Sequence, residues 1–299
     1  MNRFTFIFLV CIYALFLIYQ AFVEISIEYQ LVAASILILL FGIPHGAIDH
    51  ILFFRKRTMS QLQFYSIYLG LIVCFVVLWL WQPLLSFVLF LLLSAYHFGE
   101  SQLVDIRLLR GRFKPLIYFN WGLALLATLV YYNSSELIEI TAFFQDTEDF
   151  ASVYNEGVLI YFFLFANAVN LGTLIYLYIK DKIALRRFSS ELFLIVLIHL
   201  TFFLFPFIIG FSLYFVVLHS MLVMHQEYLF FKAENKTFSV FQFIKLLLPY
   251  SLLSIVSTTL LLLMSYWGYI KLSVPFLAII IISVITLPHA IVMTIFYNK

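Results

Sequence analysis

Long apolar runs alternate with short polar breaks along the whole chain, and the runs set the architecture. A helix needs roughly 20 mostly apolar residues to cross a bilayer. Reading for such runs predicts ten spans, at 4–23, 30–54, 63–81, 84–100, 115–132, 157–179, 191–206, 208–231, 243–266 and 272–297. The seventh is short and stops at Pro206, so it and the eighth can form a tight pair; the expected number of spans is eight to ten. No cleavage site of small residues precedes Glu24, so the first run reads as a retained span. The predicted fold class is an all-α polytopic integral membrane protein, a single domain over 1–299 with no internal repeat.

The polar breaks give the orientation, because basic residues collect on the cytoplasmic side of membrane proteins. With ten spans and a cytoplasmic N-terminus, the C-terminus is cytoplasmic too. Of the 17 Lys and Arg residues, all but Lys271 then fall on the cytoplasmic side. Glu24, Glu28, Glu136, Glu139, Asp146, Glu148, Asp149 and Glu156 collect on the other side. The longest loop, 133–156, is acidic and external, with a short interfacial helix expected around Ser135–Phe144. The basic amphipathic stretch 101–113 is expected to lie along the cytoplasmic face.

Composition narrows the class. The chain is 65% hydrophobic and 11% charged, with a mean hydropathy of +1.08, which excludes a soluble enzyme, a disordered chain and a disulfide-stapled module. Cys11 and Cys74 lie in apolar runs and have no metal-site spacing. A net charge of +2 without a basic stripe excludes a nucleic-acid partner. The 36 Phe residues either pack the bundle and face lipid, or line an apolar tunnel for a long flat ligand.

Ionisable groups inside spans are costly and commonly functional. All seven histidines fall in predicted spans: His45, His50, His97, His199, His219, His225 and His289. Spans two, four, eight and ten run in the same direction. His45, His97, His219, His225 and His289 lie about 15, 13, 11, 17 and 17 residues below the starts of their spans. At 1.5 Å per residue these are close to one level. Imidazoles at one depth on different helices are how a bundle builds a buried metal site. A histidine-rich site in an apolar bundle, without thiolates, suits redox iron or copper better than hydrolytic zinc.

Each candidate has a local setting. His45 follows Pro44 between Gly42 and Gly46, where the helix is expected to bend. Asp49, four residues on, shares its face and can orient an imidazole. His97 has Glu100 three residues later, as an orienting group or a ligand. His219 is mid-span. His225, six residues on, points away from it unless a bulge intervenes. His289 follows Pro288 and repeats the Pro-His device of His45. His50 and His199 read as structural. Phosphate loops, dinucleotide fingerprints, HExxH and GxSxG are absent. A metal or proton transporter would instead place ionisable groups at several depths, often in inverted repeats. A non-catalytic membrane partner is the remaining alternative.

The motifs resemble the Brp/Blh family of membrane-integral β-carotene 15,15′-dioxygenases. The family's Pro-His-Gly-Ala-Leu-Asp motif is similar to Gly42–Asp49 (GIPHGAID); its His-Phe-Gly matches His97-Phe98-Gly99, its His-Ser matches His219-Ser220, and its final Pro-His matches Pro288-His289. The resemblance implies a bacterial inner-membrane enzyme that cleaves β-carotene centrally with O₂ at Fe²⁺. The product would be two molecules of all-trans-retinal, with a microbial rhodopsin as a candidate acceptor. It carries His45, His97 and His219 over as iron ligands. Two departures mark a divergent branch. The second histidine of the family's His-Ser-x-x-His is Val223 here, which leaves His225 or His289 as fourth ligand. The acid five residues after the His-Phe-Gly histidine is Gln102. A C₄₀ polyene dissolves only in the bilayer, so its enzyme should open sideways to lipid.

Overall fold

A computed structural model describes residues 3–22, 25–106, 113–154 and 156–298. Among these the chain is all helical and holds ten helices long and apolar enough to cross a membrane. They are Arg3–Ala21, Tyr29–Lys56, Gln61–Trp81, Pro83–Leu103, Lys114–Tyr132, Gly157–Ile179, Leu185–Leu204, Phe207–Glu234, Val240–Tyr266 and Val274–Tyr297. The spans match the apolar runs because a segment in lipid must satisfy its own backbone, and a helix does so locally. The seventh starts earlier than its apolar run. Arg187 carries the extra turn, reaching Asp105 at 3.0 Å and Glu191 at 3.1 Å. Charged side chains at a helix end can reach outward while their stems pack. Span four runs to Leu103; of the basic stretch after it, residues 107–112 lie outside the described residues.

Spans four and five touch backbone to backbone. A Cβ on Gly99 would land on the Tyr118 carbonyl, and one on Gly122 on the Ala95 carbonyl. Two glycines thereby set the closest helix pair, as small residues do in membranes. Span ten packs on spans two, three, four and nine, and span eight on spans one, two, four and seven.

Three of the inner helices are irregular. Span two changes to a π turn at Ile38–Gly42, tightens to a 3-10 turn at Ile43–Gly46, and resumes as an α-helix at Asp49. Pro44 sits in that break, where its missing N–H and its ring disrupt the regular ladder. Span eight contains a π turn at Tyr214–Ser220. Span ten carries Pro288 within the helix. Such local changes of helical pitch re-aim side chains and often mark functional positions.

The acidic loop folds over one end of the bundle. Its expected helix is present at Ser134–Ala142, followed by a 3-10 segment at Glu148–Tyr154. Phe150 inserts and stacks on Phe87 at 4.7 Å, with Trp79 and Phe276 around it. Two carboxylates tie the loop to helix starts. Glu136 Oε2 accepts from the Phe207 N–H at 2.7 Å, and Asp146 Oδ2 from the Ser273 N–H at 2.7 Å. Anions are favoured at these positive helix ends. Burial pushes the Glu136 carboxyl above its ordinary value, the Phe207 amide holds it down, and Glu139 adds to the rise. Both tied helices, spans eight and ten, carry a histidine of the cluster described next.

Candidate metal centre

Four of the seven histidines converge, one each from spans two, four, eight and ten. The ring of His97 lies 4.8 Å from His219 and 4.9 Å from His289; His45 lies 5.1 Å from His219 and 4.8 Å from His289. Neighbouring rings are close to perpendicular, between 77° and 89°. Potential ligand nitrogens of His45, His97 and His289 all lie within 4.8 Å of one another, close enough to hold one metal ion. His97, His219 and His289 are buried, at 1–3% exposure.

The local breaks explain the convergence. At the Pro44 break the Gly42 carbonyl accepts from His45 Nδ1. His219 Nδ1 bonds Ser101 Oγ at 3.1 Å, and the Ser101 hydroxyl donates onward to the Phe98 carbonyl at 2.9 Å. His289 Nδ1 bonds Asp49 Oδ1 at 2.8 Å, and the Tyr68 hydroxyl donates to Asp49 Oδ2 at 3.0 Å. In each case the outer ring nitrogen is tied to an oxygen, which fixes the tautomer and leaves Nε2 with its lone pair. Nε2 of His219 and of His289, and both nitrogens of His97, are buried without a hydrogen-bond partner. A buried polar atom left unpaired costs about 1–3 kcal/mol. Several such atoms around one point are repaid together by a cation that accepts their lone pairs, so the donor set fits a metal ion of the imidazole-binding class.

The remaining sequence candidates go elsewhere. Asp49 does orient an imidazole, but that of His289 rather than His45. The 3-10 turn and the non-helical Ile48 between residues 45 and 49 break the four-residue phase. Glu100 meets no ring of the cluster among the described contacts. It accepts instead from Thr294 Oγ1 at 2.6 Å and from the Tyr96 hydroxyl at 3.2 Å, one turn further along the bundle. His225 stands apart with its ring 5.4 Å from Phe4, because the helix after Ser220 is regular and six residues turn it away. Val223 is fully buried in an apolar cluster with Ile48, Leu52 and Met293. Gln102 donates to Glu191 Oε1 at 3.0 Å. His199 has Tyr132 at 3.3 Å and Asn167 at 3.2 Å on its two nitrogens, and His50 packs on Tyr250.

Sequence reasoning missed Ser101, Tyr68 and Glu227. Ser101 lies four residues after His97 and Tyr68 in a plain apolar run, so neither carries a signal of its own. Glu227 is wholly buried, with no partner on either carboxyl oxygen, and lies within electrostatic reach of Asp49. An acid inside a predicted span was the available signal.

Fold and site together define a polytopic helical membrane protein with a buried imidazole cluster able to hold a metal. Comparison with protein families places it further: the family described as Beta-carotene 15,15′-dioxygenase matches residues 36–297, and the chain belongs to that family. Neither the curated proteins nor the solved structures contain a match.

The carboxylate behind His289 is open to test. Asp49→Asn keeps the size but removes the charge that holds the ring. It is expected to weaken Co²⁺ binding by about 10–100-fold, measured by competition with a chelator of known affinity.

Proposed function

We propose that this protein cleaves β-carotene at its central 15,15′ double bond with O₂, giving two all-trans-retinal, and that Fe²⁺ held by His45, His97, His219 and His289 serves the reaction. The supporting observation is the set of unpartnered imidazole nitrogens that face one another inside the membrane helices. Family membership supports the substrate class.

His45, His97, His219 and His289 would hold the iron as neutral imidazoles, and the iron would supply the one-electron chemistry that O₂ needs to react with a closed-shell alkene. The chain's own groups do the rest. Gly42, Ser101 and Asp49 hold three rings at their outer nitrogens. The Asp49 carboxyl, bonded to His289 Nδ1, would stand directly behind one of the rings that hold the metal. Phe98 and Phe215 pack on the cluster, at 4.8 Å from His219 and 5.6 Å from His45, and keep water from it. Excluding water from the site limits side reactions there. Holding the central double bond beside the four rings then selects the bond that is cut.

The test is expression in bacteria that accumulate β-carotene, followed by chromatography for retinal. The parent is expected to yield retinal and His97→Ala none, with both present in the membrane in equal amount. Absence of retinal from well-folded parent protein would overturn the reading.

A further inference from the structure

Span eight is buried almost throughout between Ile209 and Ser220, yet one stripe on it remains partly exposed. That stripe is Phe207, Phe211 and Phe215, spaced four residues apart. Their rings form a continuous stack. Phe207 lies 6.1 Å from Phe211 with 9° between planes, Phe211 5.6 Å from Phe215 with 16°, and Phe215 5.5 Å from His219 with 23°. The fourth ring of the stack is therefore one of the cluster histidines. Elsewhere in the protein most aromatic pairs meet edge to face or tilted, as their quadrupoles favour.

The length of the stripe is informative. Twelve residues of helix from Phe207 to His219 span about 18 Å. A C₄₀ polyene is about as long as the hydrocarbon core is thick, roughly 30 Å, so its central bond lies about 15 Å from either end. The stripe thus runs from the cluster to the distance at which one end group of such a molecule would lie. Its outer end is anchored: Glu136 of the acidic loop binds the Phe207 amide. Its inner end is set by close approach. A Cβ on Gly42 would sit 2.8 Å from Phe215 Cε1, so only glycine there leaves the Phe215 ring in line.

We propose that the Phe207–Phe211–Phe215 stripe is the binding wall for one half of a linear polyene, measuring the distance from its end group to the bond beside His219. This rests on the carotenoid reading above and adds to it the residues that choose the bond. Aromatic edges along one line suit a long flat conjugated chain, and their partial exposure lets it slide in from lipid without unfolding the bundle.

The experiment uses induced circular dichroism. β-Carotene is achiral in lipid and gives a visible dichroic band only when held in a chiral site. The protein in lipid nanodiscs, without metal and under argon, is titrated with all-trans-β-carotene. Parent, Phe211→Leu, Phe207→Leu and Phe193→Leu are compared; Phe193 is a partly exposed phenylalanine of span seven, off the stripe. The visible spectrum of bound Co²⁺ checks separately that the histidine cluster is intact. Both stripe variants are expected to need at least tenfold more β-carotene for half saturation, with the Co²⁺ spectrum unchanged and Phe193→Leu like the parent. Parent-like titrations in both stripe variants overturn the proposal, as does an equal loss in Phe193→Leu. If the parent itself gives no band, the carotenoid reading falls, which is a different result.

Discussion

Replacing His289 by alanine is expected to lower bound metal below detection and retinal formation at least about 100-fold, while His225→Ala leaves both near the parent's level. With Val223 in place of the family's second histidine, the sequence leaves both histidines open as the fourth ligand, His225 only through a bulge. Geometry separates them. His289 is buried, its Nδ1 is held by Asp49 at 2.8 Å, and its ring stands 4.8 Å from His45 and 4.9 Å from His97. His225 faces Phe4 at 5.4 Å. Removing one of the four clustered imidazoles also leaves Asp49 without the ring it is bonded to, so the expected loss goes beyond a single bond. Metal content by elemental analysis of protein purified from each variant decides the point. Equal losses in both variants, or a loss in His225→Ala alone, would reject the assignment of His289. Space is tight here too. A Cβ on Gly46 would come within 3.2 Å of His289 Nδ1, so bulk at residue 46 is expected to displace the same ring.

The second large effect is on folding. Gly122→Ala adds one methyl group where the Ala95 carbonyl already lies, and Gly99→Ala does the same against Tyr118. The obstacle is backbone on both sides, so no side-chain rotation relieves it. Overpacking a core commonly costs about 1–3 kcal/mol, more when the structure cannot move aside. Each variant is therefore expected to melt well below the parent in detergent, with the double variant failing to accumulate. Span four carries His97 and Ser101, so forcing spans four and five apart also shifts two members of the site. Gly70, which has open space around it, is the control, and Gly70→Ala should leave the melting temperature unchanged. A Gly122→Ala protein as stable as the parent would show that the two helices do not meet at this distance.

Much of this was legible in the sequence. Each of the ten spans follows an apolar run, since in lipid each helix must satisfy its own backbone and needs no partner to be recognised. Counting residues down parallel helices puts His45, His97, His219, His225 and His289 near one level, because rise per residue is nearly constant. The short helix at Ser134–Ala142 was expected within a residue or two of its observed ends.

What counting could not supply was rotation. A π turn at Tyr214–Ser220 and a 3-10 turn at Ile43–Gly46 change the angle per residue, so which side of a helix a residue faces cannot be read from a 3.6-residue period beyond them. For that reason spacing puts Asp49 beside His45 while it is found on His289, and offers Glu100 beside His97 as an orienting group or ligand while Thr294 and Tyr96 bond it. The depth of an imidazole is a property of one helix, fixed by its own sequence. The identity of its neighbour depends on how several helices turn and pack against each other, and here the tertiary structure brings together four of the five histidines that depth puts at one level.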